Sequence, residues 1–211
     1  MRAAQARRTA AEGSATRDRL LDATGAVMAR RNSADVSLQE IAEEAGVNAA
    51  LVKYYFGNKQ GLLTALLERD TAASFRDLDR LLRSTKTPTE KLRLHIAGFI
   101  RTYLRYPYIN RLFRAILGGP DDDGAREIAR FFVKPLTEFY RTLLDEGARA
   151  GEFRPVDPML FYFSLVGVCD HLFDAHYALR YAYGIEQVTP ELAERYIGHV
   201  TAVMMGGMLA R

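Results

Sequence analysis

SLQEIAEEAGVNAALVKYYFGNK, residues 37–59, reads as two short helices joined by a tight turn and closed by aromatic and basic residues. Ser37 followed three residues later by Glu40 is the pattern of a capping box, and Leu38, Ile41, Ala42 and Ala45 then form one apolar face of about two helical turns. Gly46 ends that helix, because a glycine tolerates the left-handed conformation needed to leave it. Asn48 is placed to cap the next helix within about three residues, and so short a turn makes the two axes cross steeply. The second helix then carries Ala49, Ala50, Lys53 and Tyr54 on an outer face, while Val47, Val52, Tyr55 and Phe56 supply inward bulk. Small apolar residues let a helix backbone approach base edges, and an alanine methyl can touch a thymine methyl. Lys53 can reach a guanine edge or a phosphate.

With Ile41-Ala-Glu-Glu-Ala-Gly-Val47, Tyr54-Tyr55-Phe56-Gly57-Asn58-Lys59 and Gly61-Leu62-Leu63 in place, the chain resembles the tetracycline-repressor (TetR) family of transcriptional regulators. The resemblance covers the first seventy or so residues closely and the remainder as a helical outline. It departs at Leu51 and Lys53, where family members often carry a hydroxyl and then a tyrosine, which implies a changed operator sequence. The DNA contacts it implies are Arg17, Ser37, Gln39, Asn48, Ala49, Ala50, Lys53, Tyr54, Tyr55 and Lys59. Of the aromatics, Phe56 is expected in the core, whereas Tyr54 and Tyr55 present hydroxyls to phosphates. Lys59 sits where its charge and the free N–H groups of the next helix can together hold a phosphate.

Length and composition agree. A chain of 211 residues with 48% hydrophobic content can build a DNA-reading domain and a second helical domain with its own core. A formal charge of +3 is only mildly basic, so DNA binding has to rest on local placement of charge. Arg2, Arg7, Arg8, Arg17 and Arg19 gather at the front in a stretch rich in Ala, Gly, Ser and Thr. Residues 1–14 are expected to be a disordered basic arm, suited either to a neighbouring minor groove or to solubility alone. One cysteine, Cys169, excludes an intramolecular disulfide, and zinc-finger spacing is absent. The arginines at the front precede no apolar run, and the run Met159 to Cys169 is too short for a bilayer and is followed by Asp170, His171 and Asp174. These signs point to a soluble cytoplasmic protein with no cofactor.

The expected fold is all-α: an N-terminal three-helix helix-turn-helix DNA-binding domain over 15–65, then a C-terminal helical ligand-binding and dimerisation domain over 66–211. Apolar spacing at Leu20, Leu21, Ala23, Thr24, Val27 and Met28 predicts a first helix from about Thr16 to Arg31. A fourth, from Asn58 to about Arg83, places Leu62, Leu63, Leu66 and Leu67 in the first domain and Phe75, Leu78, Leu81 and Leu82 in the second. Thr87-Pro88, Asp157-Pro158 and Thr189-Pro190 each put a capping side chain before a proline suited to the first helical position. Pro107 ends the helix from Pro88, 118–124 forms an acidic loop, and a helix from near Gly124 to Gly151 holds Pro135 in its interior. An interior proline removes a backbone bond and kinks a helix, leaving room on one side.

The second domain is strongly aromatic, and aromatics with a few polar groups can line a cavity as readily as a core. The family resemblance implies an inducer pocket there, with His95, Phe99, Tyr103, Phe113, Phe132, Phe139, Tyr162, Cys169, His171 and Phe173 as candidates. The ligand class this favours is an apolar or aromatic small molecule. Metal binding by Asp170, His171, Asp174 and His176 is not expected, since histidines five apart share a helix face poorly. Cys169 and His171 point apart, so a catalytic pair is not expected either. Glycine-rich phosphate loops and nucleophile elbows are missing, which argues against an enzyme.

Helices from Pro158 to about Tyr181 and from Pro190 to Leu209 are apolar on more than one side and so need partners on both. They are expected to pair with a second copy as a four-helix bundle through Phe161, Leu165, Tyr196, Val200, Val203, Met204 and Met208. The partners implied are a double-stranded DNA operator, a small-molecule inducer and a second copy of the chain, with no membrane. A homodimeric repressor released by its inducer fits best. An activator or a ligand-independent regulator shares the same features, and operator position relative to a promoter separates them.

Overall fold

A computed structural model describes the backbone of residues 2–119 and 122–210, with side chains from Gly13 onward. The described residues are helical almost throughout: α1 Arg2–Arg31, α2 Leu38–Ala45, α3 Ala50–Phe56, α4 Lys59–Leu82, α5 Pro88–Arg105, α6 Ile109–Leu117, α7 Asp123–Ile128, α8 Lys134–Arg149, α9 Pro158–Asp174, α10 His176–Tyr183 and α11 Pro190–Gly206. One isolated antiparallel bridge joins Phe153 and Leu209.

Two compact units emerge. The first comprises residues 1–70 with 111–124, and the second 71–110 with 125–211. The division therefore falls inside α4, a few residues past the expected boundary, and the segment 111–124, expected with the second domain, belongs to the first. In the first unit Leu20, Leu21, Val27, Met28, Ile41, Val52, Leu62 and Leu66 are fully buried, the stripe that helical spacing picked out. Gln60 adds a polar tie within that unit, its Nε2 donating to the Ile116 carbonyl at 3.1 Å.

The sequence expects disorder up to Gly13 and a helix from about Thr16, but the backbone is helical from Arg2. Alanine, arginine, glutamine and glutamate dominate 2–12 and are among the best helix formers, a propensity that outweighs the Gly, Ser and Thr scattered through the front of the chain. The choice left open for Arg2, Arg7 and Arg8, between a minor groove and solubility alone, lies outside the described side chains.

Three helix starts in the second unit follow the capping-residue and proline device. Thr87 and Glu90 form a full reciprocal box, with Glu90 N donating to Thr87 Oγ1 at 3.3 Å and Thr87 N to Glu90 Oε2 at 2.9 Å. Asp157 accepts from Met159 N and Leu160 N at 2.8 and 3.1 Å, and Thr189 from Leu192 N at 3.2 Å. Lys91 on α5 is buried, its ammonium held by both oxygens of Glu146 on α8 and by the Leu82 carbonyl that ends α4. A buried charge requires such partners, so the end of α4 is fastened to α5 and α8.

Two corrections concern helix continuity. The expected single helix from Gly124 to Gly151 is α7, a π-helical segment Ala129–Val133, and α8. Pro135 has no N–H to give, and its ring collides with the carbonyl four residues back, that of Phe131. Widening the preceding turn to a five-residue step, in which Lys134 N–H meets the Ala129 carbonyl, relieves the collision without ending the helix. The expected helix from Pro158 to about Tyr181 is likewise two, because Ala175 leaves helical geometry at φ −81° and ψ 48°.

Candidate functional site

α2, the turn 46–49 and α3 form the helix pair read in the sequence. Ser37 Oγ accepts from Glu40 N at 3.1 Å, so half of the expected capping box is present; the Glu40 carboxylate instead meets Arg31 Nη1 at 2.6 Å. Gly46 adopts φ 64° and ψ 39°, the left-handed exit that glycine permits. Asn48 Oδ1 accepts from Ala50 N at 2.8 Å. At the other end, Asn58 Oδ1 accepts from Gly61 N at 2.8 Å to open α4. Gly61 is required there, since a Cβ would sit 2.2 Å from the Phe56 carbonyl oxygen.

This geometry sets out one exposed face. Ala50, Lys53 and Tyr54 stand on the outer side of α3, with Tyr54 77% exposed, and Ala49 is half-buried beside them. Ser37, Gln39 and Asn48 are exposed, whereas Tyr55 and Lys59 are half-buried. Tyr55 packs edge-on against Tyr54 with ring centroids 4.9 Å apart, and a Cβ on Gly13 would lie 3.6 Å from its hydroxyl. Phe56, expected in the core, is only half-buried: the Arg17 guanidinium covers its ring at 5.2 Å, so a cation rather than apolar packing completes its environment.

Acidic α2 is also partly neutralised from within, at two of its three carboxylates. Arg31 pairs with Glu40, Arg30 with Glu44 at 3.0 Å, and Gln39 Nε2 donates to Glu43 at 2.9 Å. Each carboxylate that would repel a phosphate from this helix thus has a partner on the same chain, and Lys53 keeps its charge facing outward. The arrangement can accept a polyanion along α3 and read bases with the small side chains of its first turn.

In the second unit, the predicted pocket residues divide. His95 Nε2 and the Tyr140 hydroxyl lie 3.0 Å apart, both buried. Phe99 and Phe139 lie tilted against His95 with centroids at 5.6 and 4.8 Å, and Phe161 meets Tyr140 edge-on at 5.0 Å. Tyr103 stacks on Phe173 at 5.5 Å, and Cys169 is buried. Tyr162 is half-buried, with its ring 6.5 Å from that of Tyr140. These aromatics fill one another's space and form a core more than a vacancy. Burial pushes His95 down to about 3 and Cys169 up to about 12, and it raises Tyr103 and Tyr140 well above the usual phenol range. Each is held neutral at neutral pH, with its pKa moved away from the range in which a group exchanges protons readily there.

Two candidates stand apart. His171 is exposed on α9, and Phe113 on α6 belongs to the first unit. Phe132 is buried against Phe75, their centroids 5.6 Å apart. Open space lies beside this pair. A groove of about 490 Å³ runs between α4 and the π-helical segment with α8, walled by Phe75, Leu78, Leu82, Phe131, Pro135 and Phe139, with Asp79, Glu138 and Thr142 also on its lining. Of these residues only Phe139 is among the expected ligand set, but the room expected beside Pro135 coincides with this groove. Among the described residues no cluster of three His, Cys, Asp or Glu could hold a metal, and no helix is long and apolar enough to cross a membrane.

The expected dimer residues need correction. Phe161, Leu165, Val200 and Met208 are buried within the single chain, because α9 directs the stripe Phe161, Leu165, Cys169 and Phe173 inward. Tyr196 and Met204 are half-buried, the Tyr196 hydroxyl donating to the Val168 carbonyl. The opposite stripe is what stands out: Met159, Leu160 and Phe163 are 54, 59 and 65% exposed, with Val203 of α11 at 55%.

Residues 20–66 match the family described as bacterial regulatory proteins, tetR family, and residues 85–211 match the tetracyclin repressor-like C-terminal domain. A relative from Brucella melitensis biotype 2, the HTH-type transcriptional regulator BetI, is 30% identical over 121 residues, covering 57% of this chain and 61% of its own length. The chain thus spans between about two-fifths and three-fifths of the length of the curated relatives it matches. Among solved structures, the regulator FadR from Bacillus subtilis, in complex with stearoyl-CoA, superposes with a TM-score of 0.72 at 19% identity over 90% of this chain and 97% of that one. AibR, in complex with isovaleryl coenzyme A and operator DNA, does so with a TM-score of 0.69 at 18% identity over 89% and 97%.

Proposed function

The chain belongs to the tetR family of bacterial regulatory proteins, and from that premise we propose that it is a cytoplasmic, homodimeric transcriptional repressor that leaves its operator when a small molecule binds. The observation that carries this reading is the outer face of α3. A tyrosine 77% exposed beside an exposed lysine serves no core, and both side chains suit the phosphates and base edges of a major groove. Arg17, Ser37, Gln39, Asn48 and Lys59 flank that face as the phosphate-contacting set.

Two such faces related by a two-fold axis read successive major grooves of a near-palindromic site, about 34 Å apart. The exposed apolar stripe of α9, Met159, Leu160 and Phe163, with Val203 of α11, supports pairing of these two helices with those of a second copy. Acyl-CoA is bound in FadR and AibR, and this favours an effector with an apolar part. Such an effector acts by preferring the form in which the reading heads do not match the DNA. Moving the population from mostly bound to mostly free takes a preference of about 5 kcal/mol.

Selection of duplexes from a random pool tests the reading, with a Lys53→Ala, Tyr54→Ala double variant beside the native protein. Enrichment of a two-fold symmetric motif by the native chain alone is expected; equal enrichment by both proteins would move the reading face elsewhere. Light scattering at micromolar concentration should give the mass of two chains, and the mass of one would remove the dimer from the proposal.

A further inference from the structure

The groove beside Pro135 does not end at its apolar walls. Asp79 lines it and also lines a second, open depression of about 610 Å³ bounded by Arg76, Arg80, Arg83 and Ser84. The two are therefore contiguous along the second half of α4, one face greasy and aromatic, the next set with three guanidinium groups. Residues three and four apart on a helix are neighbours, so Arg76, Arg80 and Arg83 form a row. Arg80 is engaged by Asp77 at 2.6 Å, and all three side chains are exposed. Across the groove, Arg130 lies over the ring of Phe131 at 5.2 Å, and Lys134 is exposed. Glu138 is paired with Arg141, so its charge is met. Cations outnumber carboxylates around this rim, and Asp79 is the carboxylate that sits at the seam.

From this layout we infer that the groove and the arginine row together bind an amphipathic anion, a linear acyl chain joined to a phosphate-bearing head. The chain lies against Phe75, Leu78 and Phe131, and the head lies over Arg76 and Arg83. A volume of about 490 Å³ falls within the roughly 300–1,000 Å³ usual for a small-molecule site. Guanidinium forks are suited to phosphate oxygens. An acyl thioester of coenzyme A and a lysophosphatidate share this chemistry. The inference rests on the reading of the chain as a ligand-responsive regulator, and it assigns that regulator's effector site to α4, the π-helical segment and α8 instead of to the aromatic core around His95.

Calorimetric titration of the full chain tests it, with lauroyl-CoA, lauroyl lysophosphatidate, coenzyme A alone and dodecyltrimethylammonium as probes. Binding of one or both phosphate-headed acyl probes, and weaker binding of coenzyme A alone, is expected; whichever acyl probe binds more tightly identifies the source. Arg76→Ala with Arg83→Ala should weaken that probe by about tenfold or more, and Asp79→Asn should leave it equal or tighter. All of these side chains are exposed, so circular dichroism should match the native protein. Unchanged affinity in the arginine double variant, or tighter binding of the ammonium probe that Asp79→Asn abolishes, would overturn the assignment. Gel shifts on the selected duplex separate this failure from failure of the regulatory reading. A protein that holds its operator and ignores both acyl probes loses the site and keeps the function, and one that binds lauroyl-CoA but no duplex keeps the site and loses the function.

Discussion

Tyr54 and Tyr140 are the same residue type with opposite fates. Tyr140 is fully buried, with its hydroxyl on His95 and its ring against Phe139 and Phe161. Tyr54 stands 77% exposed on α3, edge-on to Tyr55. The contrast shows how to tell an aromatic core from an aromatic site. Where the chain itself supplies partners on every side, the ring is structural; where it supplies them on one side only, the free side is left for something else. By that criterion most of the aromatic set expected to line an inducer pocket is core, and the half-open groove at Phe75 and Phe131 is where the proposed effector is placed.

Truncating each tyrosine separates the two roles. Tyr140→Ala should destabilise the fold by about 3–5 kcal/mol, as for other large buried aromatics, with added cost from the stranded His95. A loss below about 1 kcal/mol in urea unfolding would mean the cluster is loosely packed and could admit a ligand after all. Lys53→Ala with Tyr54→Ala should change stability by no more than about 0.5 kcal/mol. The same pair should weaken operator binding by about a hundredfold, equivalent to ~2.7 kcal/mol. If that pair unfolds the protein instead, the outer face of α3 is structural and the contrast fails.

His95 allows the core side of the comparison to be read by pH. Burial holds its folded pKa near 3, against 6.5 for the unfolded chain. The unfolded state therefore takes up the proton first. The stability tied to neutral His95 is complete above pH 6.5 and is lost as pH falls toward 3. At pH 5 the loss should be about 2 kcal/mol. His95→Gln, which keeps a polar partner for Tyr140, should flatten unfolding free energy between pH 7 and 5 by about that amount. Equal slopes in the two proteins would show that water reaches the ring.

What was legible in the sequence was local. Ser37, Asn48, Thr87, Asp157 and Thr189 cap helices through contacts within three residues, so neighbours in sequence were enough to find them. The helix pair and its exposed face followed from the same short-range signals. Side choice on α9 was not legible, because its inner stripe from Phe161 to Phe173 and its outer stripe from Met159 to Phe163 are equally apolar, and only packing decides between them. Phe56 misled for a related reason: its cover is Arg17, thirty-nine positions away in sequence. Pro135 announced a disturbance in its helix, but whether that would be a kink or a π-helical turn depended on whether the strands of backbone before and after it remained packed.

Ser37 carries the smallest effect and tests where the reading face ends. Its hydroxyl is already occupied by Glu40 N, so Ser37→Ala should cost about 1 kcal/mol of stability. That loss alone does not distinguish a cap from a DNA contact, since an untied α2 also misplaces α3. Asparagine and aspartate both cap well and differ by one charge. Ser37→Asn should therefore restore stability, and Ser37→Asp should match or slightly exceed it through the helix dipole. If Ser37 borders a phosphate, the aspartate variant should bind operator several-fold more weakly than the asparagine variant, and the gap should shrink as salt rises. Equal affinities at low salt would confine Ser37 to capping and leave recognition to α3 and the start of α4.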